Sequence, residues 1–251
     1  MIRRALITGA ARRIGRAMAL HLARQGYEIA IHYNASQGEA DAVVAEIERL
    51  GSKAIALPGD LADPATAPLI LELALSRLGP LSVLINNASR FEPDEAPTMT
   101  VQSWNHHLDT NLRSPVFLAQ AFAAQLRDGV EGNIVNIIDQ RVWKLNPRFF
   151  SYTVSKAALW TVTRTMAQAF APRIRVNAIG PGPALPNVRM DEMDFQKQAS
   201  LTLLGRGTTP QEICEALDYI LSARAMTGQM IALDGGQHLV WQTPDVVDVN
   251  E

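Results

Sequence analysis

The sequence predicts one α/β domain built on a parallel sheet with helices on both faces. Three observations predict it. Short runs rich in Ile and Val alternate with longer amphipathic stretches along the whole 251-residue chain. Several of the short runs are apolar at consecutive positions, as expected of strands buried on both faces. No linker, internal repeat or low-complexity stretch divides the chain, and its length suits a single large α/β domain. With 47% apolar residues there is material for a sizeable core.

In order, strands are expected at 5–8, 28–33, 54–57, 83–86, 133–138, 175–179 and 230–233. Amphipathic helices are expected at 14–25, 39–50, 67–78, 103–126 and 154–170. Two segments read as irregular. Residues 181–194 follow a strand, are rich in proline and acids, and read as a substrate loop. The tail after Gly236 reads either as a mobile end or as a subunit contact.

Composition excludes several function classes. Twenty-three basic and 25 acidic residues give a net charge of −2, which argues against a dedicated nucleic-acid binder and a polybasic membrane anchor. No apolar run approaches the roughly 18 residues that span a bilayer, and the first apolar stretch breaks at Thr8-Gly9, too soon for a signal peptide. A cytoplasmic protein is expected. The single cysteine, Cys214, excludes disulfides and a cysteine-built metal site. No metal is expected: His106 and His107 are adjacent and point to different sides of a helix. No Gly-x-Ser-x-Gly elbow supports hydrolase chemistry.

The first strand runs into Thr8-Gly9-Ala10-Ala11-Arg12-Arg13-Ile14-Gly15, which opens a helix. Glycine permits the tight turn, small residues let the backbone approach a pyrophosphate, and a helix N-terminus favours negative charge. The plain alternative is an ordinary strand–helix turn. An NAD site usually carries an acid at the end of the second strand, but here that strand ends Ile31-His32-Tyr33-Asn34-Ala35-Ser36. With no carboxylate there, and with Arg12 and Arg13 in the turn, a ribose 2′-phosphate is favoured. NADPH is therefore expected in preference to NADH.

Tyr152 and Lys156 lie four apart on one helical face. A nearby ammonium favours a phenolate, so Lys156 is expected to lower the tyrosine pKa towards the working pH and fit Tyr152 for proton transfer. Alone, the pair reads equally as the start of an amphipathic helix. It has company: Asn86-Asn87-Ala88-Ser89 after the fourth strand, Asn111 in the next helix, Asp139 at the end of the fifth strand, Gly180-Pro181-Gly182 after the sixth, and Asp234-Gly235-Gly236 after the last.

With these motifs in this order, the chain resembles the short-chain dehydrogenase/reductase family over nearly its whole length. The resemblance implies a single-domain, Rossmann-type doubly wound parallel sheet of seven strands, and hydride transfer from a nicotinamide to C=O or C=N. It implies Tyr152 as proton donor, Lys156 on the nicotinamide ribose, and Asn111 holding a water of the proton relay. The implied cofactor contacts are Gly9, Arg12, Arg13, Ile14 and Gly15 in the turn, and His32, Tyr33, Asn34 and Ser36 at the second strand. Asp60 and Leu61 would lie by the adenine, Asn87, Ala88 and Ser89 along the cleft, and Pro181 and Gly182 near the nicotinamide.

Two positions depart from the common pattern. Arg13 replaces the middle glycine of the turn, and Asp139 replaces a serine that donates to the substrate carbonyl. An ionised aspartate has no proton to donate and repels a developing alkoxide. It suits an N–H group or a proton relay to a ring nitrogen, hence C=N reduction in a nitrogen heterocycle. Both departures resemble the pteridine reductase and dihydromonapterin/dihydrofolate reductase subgroup, as do His32-Tyr33 and Asn87-Ala88-Ser89-Arg90-Phe91. That likeness implies Phe91 stacking the substrate and Arg13 reaching both cofactor phosphate and substrate. Phe91 as a loop anchor and Asp139 as a structural cap are the plain alternatives. Ala35 stands where that subgroup commonly has a basic residue, and Ala184 where it often has serine. Residues 140–144 are bulkier than a pterin requires.

The sequence thus reads as an NADPH-dependent reductase of a pterin-like C=N substrate, with a carbonyl reductase of the same fold as the alternative. A non-catalytic cofactor sensor is disfavoured by the presence of Asn111, Tyr152 and Lys156 together. The family also implies a homotetramer whose dimer interface uses the helices 103–126 and 154–170. Both carry small residues, such as Ala119, Ala121, Ala123, Ala157 and Ala158.

Overall fold

Seven strands form one parallel sheet in the order β3-β2-β1-β4-β5-β6-β7. The structure is a computed structural model that describes residues 3–186, 189 and 191–243. Part of the expected substrate loop (187, 188 and 190) and of the tail (244–251) lies outside the described residues. The strands are β1 (Arg3–Ile7), β2 (Tyr27–Tyr33), β3 (Ala54–Pro58), β4 (Val83–Asn86), β5 (Gly132–Ile137), β6 (Ile174–Pro181) and β7 (Met230–Leu233). Each lies within a few residues of its expected place.

Consecutive apolar residues in the strands have a simple cause: neighbours point to opposite faces, and both faces are covered. Ile7, Ile29, Ile31, Ile85 and Val135 face the layer formed by α1 (Arg13–Arg24), α2 (Gln37–Arg49) and α8 (Pro210–Ser222). Leu6, Ala30, Leu84, Ile134 and Val176 face α3 (Thr66–Leu78), α5 (Ser114–Gln125) and α6 (Phe150–Phe170). Phe122 of α5 is fully buried in the second layer. It packs where a side chain at Gly132 would stand, so β5 approaches α5 closely.

The expected helix 103–126 is not continuous. It is α4 (Val101–Leu108), a π turn over Asp109–Arg113, then α5. Such a turn inserts a residue into the helical period and re-aims the side chains beyond it. Asn111 lies in it, fully buried. Two helices were not among those expected: α7 (Glu192–Ser200), within and beyond the segment read as a loop, and α8. A reciprocal capping box starts α8, with the Thr209 hydroxyl accepting from Glu212 N and the Glu212 carboxylate from Thr209 N. Among the described residues, no helix is long and apolar enough to cross a membrane.

The ends of β1, β2 and β3 are tied by one imidazole. His32 is almost fully buried; its Nδ1 accepts from Gly9 N at 3.2 Å and its Nε2–H donates to Gly59 O at 3.0 Å. This pairing requires the neutral ring. Burial accordingly pushes its pKa down from 6.5 to about 4. A depressed histidine pKa means that the unfolded chain takes up the proton first. The stabilisation is therefore complete above pH 6.5 and is lost as pH falls towards 4, amounting to about 3 kcal/mol. We expect unfolding free energies measured between pH 7 and pH 4.5 to fall more steeply in the natural protein than in His32→Gln. Equal slopes would remove the clamp.

Candidate active site

The sheet has its switch point between β1 and β4, where the chain leaves in opposite directions and opens a crevice at the strands' C-terminal ends. Hydrogen bonds stitch the two turns there. Thr8 Oγ1 accepts from Asn87 N at 2.9 Å and Ala88 N at 3.0 Å, and the Asn87 amide donates to Thr8 O at 2.8 Å and Gly9 O at 3.1 Å. A cleft of about 1030 Å³ lies above them. Its lining includes every residue assigned to cofactor, substrate or catalysis except Asn111.

The turn after β1 is shaped for an anion. Gly9 has a positive φ of 64°, and a side chain at Gly15 would collide with Gly9 O and the Asn87 amide, so α1 sits tightly on the turn. No side chain caps the N-terminus of α1 and no acid stands in its first turn, while Arg13, Ile14 and Gly15 line the cleft. Uncapped N–H groups at a helix start suit a phosphate. At the β2 end the cleft meets His32, Tyr33, Asn34 and Ser36. Arg12 lies 3.7 Å from Glu39 in an exposed ion pair. These features fit a dinucleotide carrying phosphate.

Arg13 explains its own oddity. Its φ is +55°, a region that favours glycine, so arginine holds the turn at a cost in strain. The guanidinium spans the cleft and donates to Leu185 O at 3.1 Å and to Pro186 O.

The polar centre joins β5 to α6. Tyr152 Oη donates to Asp139 Oδ2 at 2.8 Å, and Asp139 Oδ1 accepts from Arg141 N at 2.8 Å. The aspartate thus caps a turn and holds the phenol, so the two readings of it coexist. Lys156 is buried and donates to Ile137 O at 2.8 Å; its Nζ is 5.8 Å from the Tyr152 ring centre. Burial pulls the lysine down to a pKa of about 8, partly offset by Asp139. The expected lowering of the tyrosine pKa by Lys156 is corrected here. Burial first, then the charge and hydrogen bond of Asp139, push Tyr152 well above 10. The phenol stays protonated.

Asn111 lies outside the cleft lining, with its amide fully engaged by protein. Its Oδ1 accepts from Arg90 N at 2.8 Å, and its Nδ2 donates to Arg90 O at 2.9 Å and Ser155 Oγ at 3.0 Å. Its side chain therefore fixes the segment after β4 that leads to Phe91. One face of Phe91 is covered: Phe149 stacks on it at 4.2 Å and 13°. Tyr152 meets it edge-on at 4.6 Å, and Arg189 Nη2 donates to Phe91 O at 2.6 Å. Phe149 has a positive φ of 56°, the left-handed conformation that turns the chain into α6. Sequence reasoning missed Phe149 and Arg189, because both reach Phe91 from segments remote in the chain.

It also missed the support beneath Tyr152. His107 is fully buried and neutral, with burial lowering its pKa. Its Nε2 accepts from Glu92 N at 3.1 Å, and its Nδ1–H points to Ser103 O at 3.0 Å and Ser151 Oγ at 2.7 Å. The Ser151 hydroxyl donates to Asp94. Asp94 also accepts from Ser151 N at 3.0 Å and so caps α6 one residue before the tyrosine. One buried network thereby holds the Phe91 loop and the Tyr152 helix together.

Comparison with known proteins agrees with this geometry. The short chain dehydrogenase family model matches residues 3–197. The chain belongs to that family. A crystal structure of the FolM alternative dihydrofolate reductase 1 from Brucella suis, in complex with NADP, superposes with a TM-score of 0.95 at 46% identity, covering 98% of each chain. The 3-oxoacyl-[acyl-carrier-protein] reductase FabG of Staphylococcus aureus is 32% identical over 244 residues, 95% of this chain and 99% of its own. L-rhamnose 1-dehydrogenase (NAD(P)(+)) of a Sphingomonas species is 33% identical over 242 residues, 93% of this chain and 95% of its own. The chain is therefore an oxidoreductase of the short-chain dehydrogenase/reductase type.

Removing the Asp94 carboxylate strands the Ser151 O–H and the Ser151 backbone N–H in the interior. Asp94→Ala is expected to lower stability by about 2–3 kcal/mol in urea unfolding. A change below about 0.5 kcal/mol would show that water replaces the cap.

Proposed function

We propose that the protein is an NADPH-dependent reductase of a C=N bond in a dihydropterin- or dihydrofolate-like heterocycle. The observation that carries this reading is the 2.8 Å hydrogen bond from Tyr152 Oη to Asp139 Oδ2. A ketone being reduced needs a donor beside its oxygen, and a carboxylate there is repulsive. A ring nitrogen being reduced needs a proton, and a phenol held by a carboxylate delivers one. The likeness to the Brucella FolM protein supports the same substrate class.

The turn Gly9–Gly15, the uncapped start of α1, Arg12 and Ser36 would hold the dinucleotide, with Asp60 and Leu61 by the adenine and Asn87, Ala88, Ser89, Pro181 and Gly182 along the rest of the cleft. When bound, NADPH supplies hydride to the C=N carbon. Tyr152, protonated because of burial and Asp139, gives the ring nitrogen its proton, and Asp139 keeps the phenol aimed and relays the replacement. Lys156 completes the polar floor and serves the nicotinamide ribose. Phe91, backed by Phe149, offers its remaining surface to a flat ring. Arg13 reaches across the cleft towards cofactor phosphate and substrate. The working form we propose is a cytoplasmic homotetramer, supported by the exposed Phe117 among the small residues of α5.

The second reading, reduction of a 3-oxoacyl thioester, is favoured by the likeness to FabG over 95% of the chain. An assay of NADPH oxidation with 7,8-dihydrobiopterin, 7,8-dihydromonapterin, 7,8-dihydrofolate and an acetoacetyl thioester separates the two. We expect turnover of the pterins, and a loss of about 100-fold or more in single-turnover hydride transfer for Asp139→Ala. Turnover of the thioester alone would establish the second reading.

Cofactor choice is tested separately. Arg12→Ala is expected to reduce the preference for NADPH over NADH in kcat/KM about tenfold, through loss of a charge-assisted phosphate contact. An unchanged preference would move phosphate recognition to the α2 start.

A further inference from the structure

Two guanidiniums between β5 and α6 stand outside the hydrogen bond of the proton-delivering pair. Arg141 and Arg148 both line the cleft next to Phe149. Arg141 Nη1 donates to Asn146 Oδ1 at 2.7 Å and to Arg148 O at 3.2 Å, and its Cζ stands 5.4 Å from the Phe149 ring centre. Its Nε is buried without a hydrogen-bond partner. Among the described residues, no carboxylate forms an ion pair with either side chain. Arg90, a third arginine on this side, is already paired with Glu92 at 3.0 Å. The carboxylate of Asp139 is occupied by Tyr152 Oη and Arg141 N.

A cationic charge left without a counter-charge in a walled cleft raises the local concentration of anions. A guanidinium also presents planar donors that match carboxylate and phosphate oxygens. We propose that Arg141 and Arg148 form a subsite for an anionic substituent, carboxylate or phosphate ester, carried by the heterocycle that stacks near Phe91. This rests on the heterocycle-reductase reading above and narrows it to substrates with a charged side chain, in preference to neutral polyol pterins.

The first arm of the test compares kcat/KM for 7,8-dihydroneopterin, its phosphate ester and 7,8-dihydrofolate in the natural protein, Arg141→Gln and Arg148→Gln. The ratio of anionic to neutral substrate is expected to fall about tenfold in each variant. Whichever anionic substrate shows the fall identifies the anion. The neutral substrate controls for a loop loosened by loss of the Arg141 hydrogen bonds, and Arg148→Gln leaves those bonds in place. The second arm measures binding of N-(4-aminobenzoyl)glutamate and its diamide by ligand-observed NMR, with NADP present. The diacid is expected to bind more tightly than the diamide, and the doubly substituted protein to lose that difference.

A substrate ratio that falls supports the subsite whatever the fragment does. Ratios unchanged in both variants overturn it. If no pterin turns over, the fragment decides: arginine-dependent binding keeps the subsite and removes the heterocycle-reductase reading, whereas no such binding removes both.

Discussion

A crevice between β1 and β4 follows from connectivity. The chain builds outward from β1 to β3, returns to lay β4 against β1 and then builds the other way. No crossover helix covers the point of reversal, so the strands end on open space there. The two exposed turns would carry unpaired backbone groups at that opening. Thr8 and Asn87 satisfy them reciprocally, with the hydroxyl serving two N–H groups and the amide two carbonyls. Every other part of the site is placed relative to this stitched edge: Gly15 presses α1 against it, His32 ties β2 and β3 to it, and β5 brings Asp139 beside it.

On that frame one carboxylate changes the electrostatics of the tyrosine. A lysine alone would favour the phenolate, but Lys156 makes its strongest contact with Ile137 O, whereas Asp139 bonds the phenol directly. Burial of the phenol is the largest influence, and the charge and hydrogen bond of Asp139 add to it. Tyr152 is consequently held in its protonated form.

The strands were legible because burial on both faces leaves consecutive apolar residues, a purely local signal. The glycine turn and the Tyr152–Lys156 pair were legible for the same reason. Helix α8 was legible in principle, since Thr209-Pro210-Gln211-Glu212 spells a capping box with proline at the first turn. The π turn at 109–113 was not: it shows only in which residues face inward after it, and the apolar pattern of 103–126 tolerates either phase. Phe149, Asp94 and His107 were hidden because each acts across the fold. Phe91 meets Phe149 from 58 positions away, and Ser151 meets Asp94 from 57.

Arg13 shows how a departure from pattern is sustained. Its backbone sits where glycine is comfortable, so selection of arginine requires a return from the side chain. The return visible in the fold is a bridge to the carbonyls of Leu185 and Pro186, across the mouth of the cleft. Those carbonyls belong to the segment that also carries Arg189 onto Phe91. Arg13 and Arg189 thus make three bonds, to the oxygens of Leu185, Pro186 and Phe91, and all three end on backbone, which survives changes of side chain. A glycine at position 13 would relieve the strain and release the two that Arg13 makes. The strained arginine therefore serves the fold as a tie between the glycine turn and the 185–186 carbonyls, whatever its charge contributes besides.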